Sequence, residues 1–142
     1  MSFDIRIQAG DINFDSQGRL NLVRGQTKLF QDILKLINTT LGSDSYSPQY
    51  GVSLTEASVG IAINSSVRAS IFQSEIQTGL IRLQQEQNIL ARTRRLTDDE
   101  RIRQVDSVIV EQDSIDPRQF NIMIELTLYS SEQIQIPTNI RI

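Results

Sequence analysis

Cysteine, histidine and tryptophan are all absent from this chain of 142 residues. Without cysteine there is no disulfide framework and no thiol nucleophile. Without histidine there is no imidazole base, no Ser-His-Asp triad and no ordinary zinc site. Chemistry is left to carboxylates, lysine, tyrosine and hydroxyls, so neither a cofactor nor a metal is expected. Aromatic residues make up only 6% of the chain, which leaves little to stack against a sugar or a base. A positive excess is missing too. With 14 basic and 17 acidic residues the net charge is −3, and no global field draws in nucleic acid or an anionic membrane. No apolar run approaches the ~18 residues of a membrane span. The opening MSFDIRIQ has neither a basic n-region nor an apolar h-region, so no signal peptide is expected.

The hydrophobic content of 39% is low for a domain of this length, although such a chain buries roughly two-thirds of its unfolded surface. That composition fits a modest core, or an apolar surface completed by partner chains. No repeat, low-complexity tract or linker divides residues 1–142, which read as one domain.

Residues 1–24 read as small β elements. Phe3, Ile5 and Ile7 alternate with polar residues, the period of a half-buried strand, and Asp15–Gly18 is a hairpin-type turn between Ile12–Phe14 and Leu20–Leu22. A helix is expected over about 27–41. One of its stripes is Leu29, Ile33, Leu36 and Ile37, and a second is Phe30, Leu34 and Leu41. Two stripes imply deep burial or a partner chain. Gly42 sits where a helix C-terminus favours a left-handed residue, and Pro48 prevents the helix from continuing. A longer helix is expected over about 65–92, capped by Ser65 or Ser66. Its apolar face holds Phe72, Ile76, Gly79, Leu80, Leu83 and Leu90, and Gly79 either permits a close approach or is merely tolerated. Strands resume at about Ile102–Glu111 and over Phe120–Leu128, as an antiparallel hairpin. Residues 132–142 alternate through Ile134, Ile136, Ile140 and Ile142 around Pro137, the pattern of an edge strand. That strand either pairs with another chain or closes the protein's own sheet. The class is α+β: two helices on a small antiparallel sheet, with N-terminal β elements, a C-terminal hairpin and a terminal edge strand.

The remaining catalytic constellation is a carboxylate pair of the kind a glycosidase uses, with one acid raised by burial. Asp98, Asp99 and Glu100 stand among Arg92, Arg94, Arg95, Arg101 and Arg103, a setting that keeps carboxylates ionised. Glu56 and Glu75 fall near helix starts or on helix surfaces. No residue is expected to be catalytic. The balance of charge over 92–103 favours a solvated or interchain salt-bridge surface over a phosphate site.

Leu36-Ile-Asn-Thr-Thr40, Gly42-Ser43, Tyr46, Pro48, Tyr50-Gly51 and Ser53-Leu54 resemble a stretch of the baseplate wedge proteins of contractile phage tails. This family is labelled "lysozyme-like" and also occurs in type VI secretion baseplates. The resemblance runs over residues 25–130. The family's Glu-Pro-Arg-Ile corresponds here to Asp99-Glu100-Arg101-Ile102, with glutamate in place of the proline. What the resemblance implies is structural work: a virion protein of the tail baseplate, assembled in the host cytoplasm, that joins the wedge core and initiates the sheath. Wedge partners would be met by Asp99, Glu100, Arg101, Ile102, Tyr46 and Tyr50. The sheath protein would be met through Ile134, Ile136, Ile140 and Ile142, with the tail tube or hub as a further candidate. The alternatives are a peptidoglycan-degrading tail lysozyme, a baseplate component of a phage-derived bacteriocin or type VI secretion system, and an unrelated α+β binding module.

Overall fold

The clearest strand of the sequence is the centre of the protein's main sheet. In the computed structural model, which describes residues 2–54 and 65–142, Phe120, Ile122, Ile124, Leu126 and Leu128 are all buried on one face of a strand spanning Gln119–Leu128. The elements in chain order are β1 (Asp4–Ile5), β2 (Ile7–Gln8), β3 (Asp11–Ile12), β4 (Leu22–Val23), α1 (Gly25–Asn38), α2 (Ser65–Leu90), β5 (Ile102–Gln112), β6 (Gln119–Leu128) and β7 (Gln133–Arg141). β5, β6 and β7 form an antiparallel sheet in that order. β1 pairs with β4, and β2 with β3. The fold is α+β.

The inner face of the sheet is covered by α2, whose Phe72, Ile76, Leu80 and Leu83 are buried. Phe72 meets Phe120 edge to face at 4.9 Å between ring centres. Along α2 the expected face holds except at Leu90, which is exposed. Ser65 and Ser66 are already helical, so neither is the expected cap. α1 adds Leu29, Ile33, Leu36 and Ile37 to the same core. Its second stripe is not deeply buried: Phe30 is exposed, and Leu34 and Leu41 are half-buried.

α1 ends earlier than expected, and Gly42 is not its cap. Thr39 leaves the helix in an extended conformation because its carbonyl accepts the Val52 N–H at 2.9 Å, while Val52 returns a carbonyl to the Leu41 N–H at 3.2 Å. Gly42, with φ +81°, instead serves the turn that follows. Gly79 is required by its surroundings. A Cβ there would come within 2.7 Å of Val52 Cγ1, so α2 passes directly beneath the loop that Val52 closes.

The terminal strand closes the protein's own sheet. β7 pairs with β6 from Gln133 to Arg141, and Ile136 and Ile140 are buried in the core, with Ile134 packed against it. Ile136 and Ile140 therefore cannot fill pockets in a sheath subunit, as the strand reading for another chain had them doing. The outer edge of β7 has no partner among the described residues. The Ile142 N–H bonds the Arg118 carbonyl at 2.9 Å, so even-numbered residues face β6 and odd-numbered ones face outward. Pro137 thus stands in the middle of the open edge without a donor, a placement that limits uncontrolled strand addition.

Residues 2–23 differ most from expectation. Their strands form, but Phe3, Ile5 and Ile7 face solvent instead of being half-buried, and Val23 alone joins the buried hydrophobics. The module is held to α1 by Gln31. Its Oε1 accepts the Ile7 N–H at 2.8 Å, and its Nε2 donates to the Ile5 carbonyl at 2.7 Å and to Asp4 Oδ2 at 3.0 Å. Lys35 pairs with the same Asp4 carboxylate. Burial raises the Asp4 pKa, but the bonds from Lys35 and the Ile5 N–H outweigh it and hold the group below its ordinary 3.8. A depressed carboxylate stabilises the attachment above its unfolded pKa, and that contribution is lost as pH falls through the folded one. Gln31→Ala is expected to weaken this attachment by about 1–3 kcal/mol. Hydrogen exchange should speed up across residues 4–23 while β5–β7 stay protected, and uniform exchange across both regions would contradict the assignment.

Candidate partner interface

Where α2 ends, three parts of the chain converge on the turn that precedes β5. The Glu100 N–H bonds the Thr97 carbonyl at 3.2 Å, and one Glu100 carboxylate oxygen accepts the Thr97 N–H at 2.9 Å. Gln87, a buried amide on α2, brackets the next residues. Its Nε2 donates to the Glu100 carbonyl at 3.1 Å, and its Oε1 accepts the Ile102 N–H at 2.9 Å. The hairpin between β6 and β7 closes over the turn, as the Ser130 N–H bonds the Asp98 carbonyl at 3.1 Å and the Tyr129 N–H bonds the Arg101 carbonyl at 3.2 Å. The Asp99 carboxylate lies against Gly25, the first residue of α1, so closely that a Cβ there would collide with it. α1 has no side-chain cap and no acid in its first turn, so Asp99 supplies negative charge beside that helix end.

Arg101 is half-buried within this turn. Its Nη2 donates to Asn88 Oδ1 at 3.2 Å, and its guanidinium lies 4.2 Å from the Tyr129 ring centre, within cation–π range. Its Nε is buried with no hydrogen-bond partner among the described residues, and so is Glu100 Oε2. Buried polar atoms are nearly always bonded, which sets these two apart from the rest of the turn. Glu100 lines a hollow of about 190 Å³ shared with Lys28, Asp32, Glu86 and Arg94. Burial pushes the Glu86 carboxyl above its ordinary range. Asp32 is committed to Lys28 at 2.6 Å and Lys35 at 3.8 Å. The hollow falls below the roughly 300–1,000 Å³ of ordinary ligand sites.

The residues singled out in the sequence do not form one cluster. Ile102, at the start of β5 opposite Leu128, is fully buried and offers nothing to a partner, which corrects its place in the wedge set. Asp99, Glu100 and Arg101 lie at the start of α1. The loop carrying the tyrosines leaves the other end of that helix, 14 residues away or roughly 21 Å along its axis. Tyr50 reaches back over α1, with its hydroxyl 3.5 Å from the Asp32 carbonyl. Its pKa is pushed up to about 12, first by burial and then by Asp32, Glu86 and Asp4. Tyr46 is 100% exposed at the loop tip. Thr39–Thr40 and Val52 line a groove of about 260 Å³ with Ile140 and Ile142, so the loop root adjoins the end of β7. Ile142 is exposed there. Glu56 lies outside the described residues, and Glu75 is half-buried on α2.

Gln87 and Gln31 escaped the sequence reading. Gln87 continues the Ile76, Leu80, Leu83 face of α2, and an amide at an apolar position is the signal that marks it. Gln31 carries no comparable signal.

A crystal structure from Geobacter sulfurreducens, described as a proposed tail lysozyme, matches this fold with a TM-score of 0.59. The match covers 82% of this chain and 90% of that one, at 14% identity. The two proteins share one architecture. At this identity the likeness extends to architecture and not to chemistry. No protein-family model and no curated protein matches the chain.

Proposed function

We propose that this chain is a non-enzymatic structural subunit of a contractile-tail baseplate. In this reading it joins other wedge proteins through Asp99, Glu100 and Arg101 and through the loop tip at Tyr46. It starts the sheath by offering the outer backbone edge of β7, on either side of Pro137, to a strand of the sheath protein. The observation that carries the reading is the fold shared with a tail protein over most of both chains. The unpartnered Arg101 Nε and Glu100 Oε2 support it, as does the open sheet edge. The particle would be a phage virion, a phage-derived bacteriocin or a type VI secretion baseplate, assembled in the host cytoplasm, and the tube or hub is a further neighbour. Single-domain organisation over residues 1–142 belongs to the same proposal.

Arg101→Ala is expected to leave the isolated protein folded and to weaken its union with wedge subunits by about 2 kcal/mol, the scale of a desolvated interface arginine. Affinity measured by pull-down with co-expressed wedge proteins tests this, and an unchanged value removes Arg101 from the interface.

A second reading is favoured by one feature. Glu86, raised by burial, shares a hollow with the buried Glu100, as an acid and a second carboxylate do in a glycosidase. Purified protein on peptidoglycan discriminates the two readings. No turnover is expected, and wall lysis abolished by Glu86→Gln or Glu100→Gln would establish the tail lysozyme instead.

A further inference from the structure

The N-terminal module is built around a three-way backbone junction. The Arg6 N–H bonds the Asn21 carbonyl at 2.8 Å, the Asn13 N–H bonds the Arg6 carbonyl at 2.9 Å, and the Asn21 N–H bonds the Asn13 carbonyl at 3.1 Å. Three apolar pairs flank this junction across the strands: Ile5 with Leu22, Ile7 with Ile12, and Phe14 with Leu20. Alternate residues of a strand share a face, so the pairs stand side by side on one surface, and Phe3 extends it. All seven side chains are between 37% and 59% exposed. Together they present on the order of 600 Å² of apolar surface. That is at the upper end for the largest patch on a monomer and approaches the ~800 Å² a standard interface buries per partner. Gln31 and Lys35 hold the module on α1, so this is a fixed platform and not a loose terminus.

Two further observations say what covers it. The strands are only two residues long, too short to template an added strand, so a partner must pack side chains. A surface about two strands wide matches the ~10 Å width of a helix. At the Phe3 end, Arg94 and Arg95 line a hollow of about 370 Å³ with Ser2 and Phe3. Both arginines are exposed and form no ion pair among the described residues. That hollow is lined by two arginines and no acid, which makes it locally positive on a chain whose net charge is −3.

We propose that this face docks an acidic amphipathic helix of another protein. The apolar stripe of that helix lies across the three pairs, and its carboxylates meet Arg94 and Arg95. The inference goes beyond the baseplate reading and does not use the Asp99–Arg101 turn or the β7 edge, so either stands if the other falls.

Two labelled synthetic helices of about 18 residues, with the same leucine stripe but flanked by glutamates in one and lysines in the other, test it by fluorescence anisotropy on the full chain. The glutamate peptide should bind about tenfold tighter, the scale of two rim ion pairs, and the preference should shrink with added salt. Arg94→Glu with Arg95→Glu should reverse the preference. Leu20→Ser with Leu22→Ser should weaken both peptides about tenfold while hydrogen exchange in β5–β7 stays at the wild-type level. Equal affinity for the two peptides, no binding of either at about 100 µM, affinities untouched by these variants, or a stable dimer in sedimentation that occupies the face would each overturn the proposal.

Discussion

A chain ending at Glu132 is expected not to fold. The truncation removes all of β7, and with it a partner for β6 along its length, from Gln119 opposite Arg141 to Thr127 opposite Gln133. It also removes Ile136 and Ile140 from the core and uncovers the edge of a strand whose Phe120, Ile124, Leu126 and Leu128 are fully buried. Burying an isoleucine is worth about 1.5–3 kcal/mol, and the lost ladder adds unpaired backbone groups. The total rivals the ~5–15 kcal/mol that holds a typical domain together. Thermal melting by circular dichroism checks this: no cooperative transition should remain. A truncated protein that melts near the wild-type temperature would mean that β7 is dispensable to the fold and free to serve another chain.

Gln87→Ala is expected to be the most damaging single substitution at the interface turn. It leaves the Ile102 N–H and the Glu100 carbonyl without the partners they have inside the protein. An unsatisfied buried backbone group costs about 1–3 kcal/mol, so the variant should lose about 2–4 kcal/mol. For a domain of this size that lowers the melting temperature by roughly 6–12 °C. The damage should be directional as well. With the bracket gone, Glu100 and Arg101 lose their fixed positions, and wedge binding should fall further than Arg101→Ala alone reduces it. A stability loss below about 1 kcal/mol would show that the turn is held by the β6–β7 hairpin instead.

Parts of this structure were legible because one physical cause dominates them. β6 alternates without a break since one of its faces is wholly buried, and period two follows directly from that. The apolar face of α2 was readable for the same reason, apart from its last turn. Periodicity says which side of an element is apolar but not what covers it. That is why residues 3–7 read as half-buried strand and instead face solvent, and why the isoleucines of β7 fitted another chain's sheet as well as this one's. The end of α1 was misplaced because the pairing of Thr39 with Val52, thirteen positions along the chain, outweighs the local preference of Gly42. At the interface, the acid-rich turn was visible as a charge cluster, yet its organisation rests on Gln87, which lies outside it in sequence. The separation of Tyr46 from Arg101 followed from the direction of α1, which no local motif contains.

Deletion of this chain's coding sequence, followed by electron microscopy of the particles produced, tests the structural role most directly. The account predicts baseplates that fail to complete and tubes that carry no sheath, restored by the intact chain supplied in trans. Complete, sheathed, contractile tails that have lost only the ability to breach peptidoglycan would contradict it and point to an enzyme.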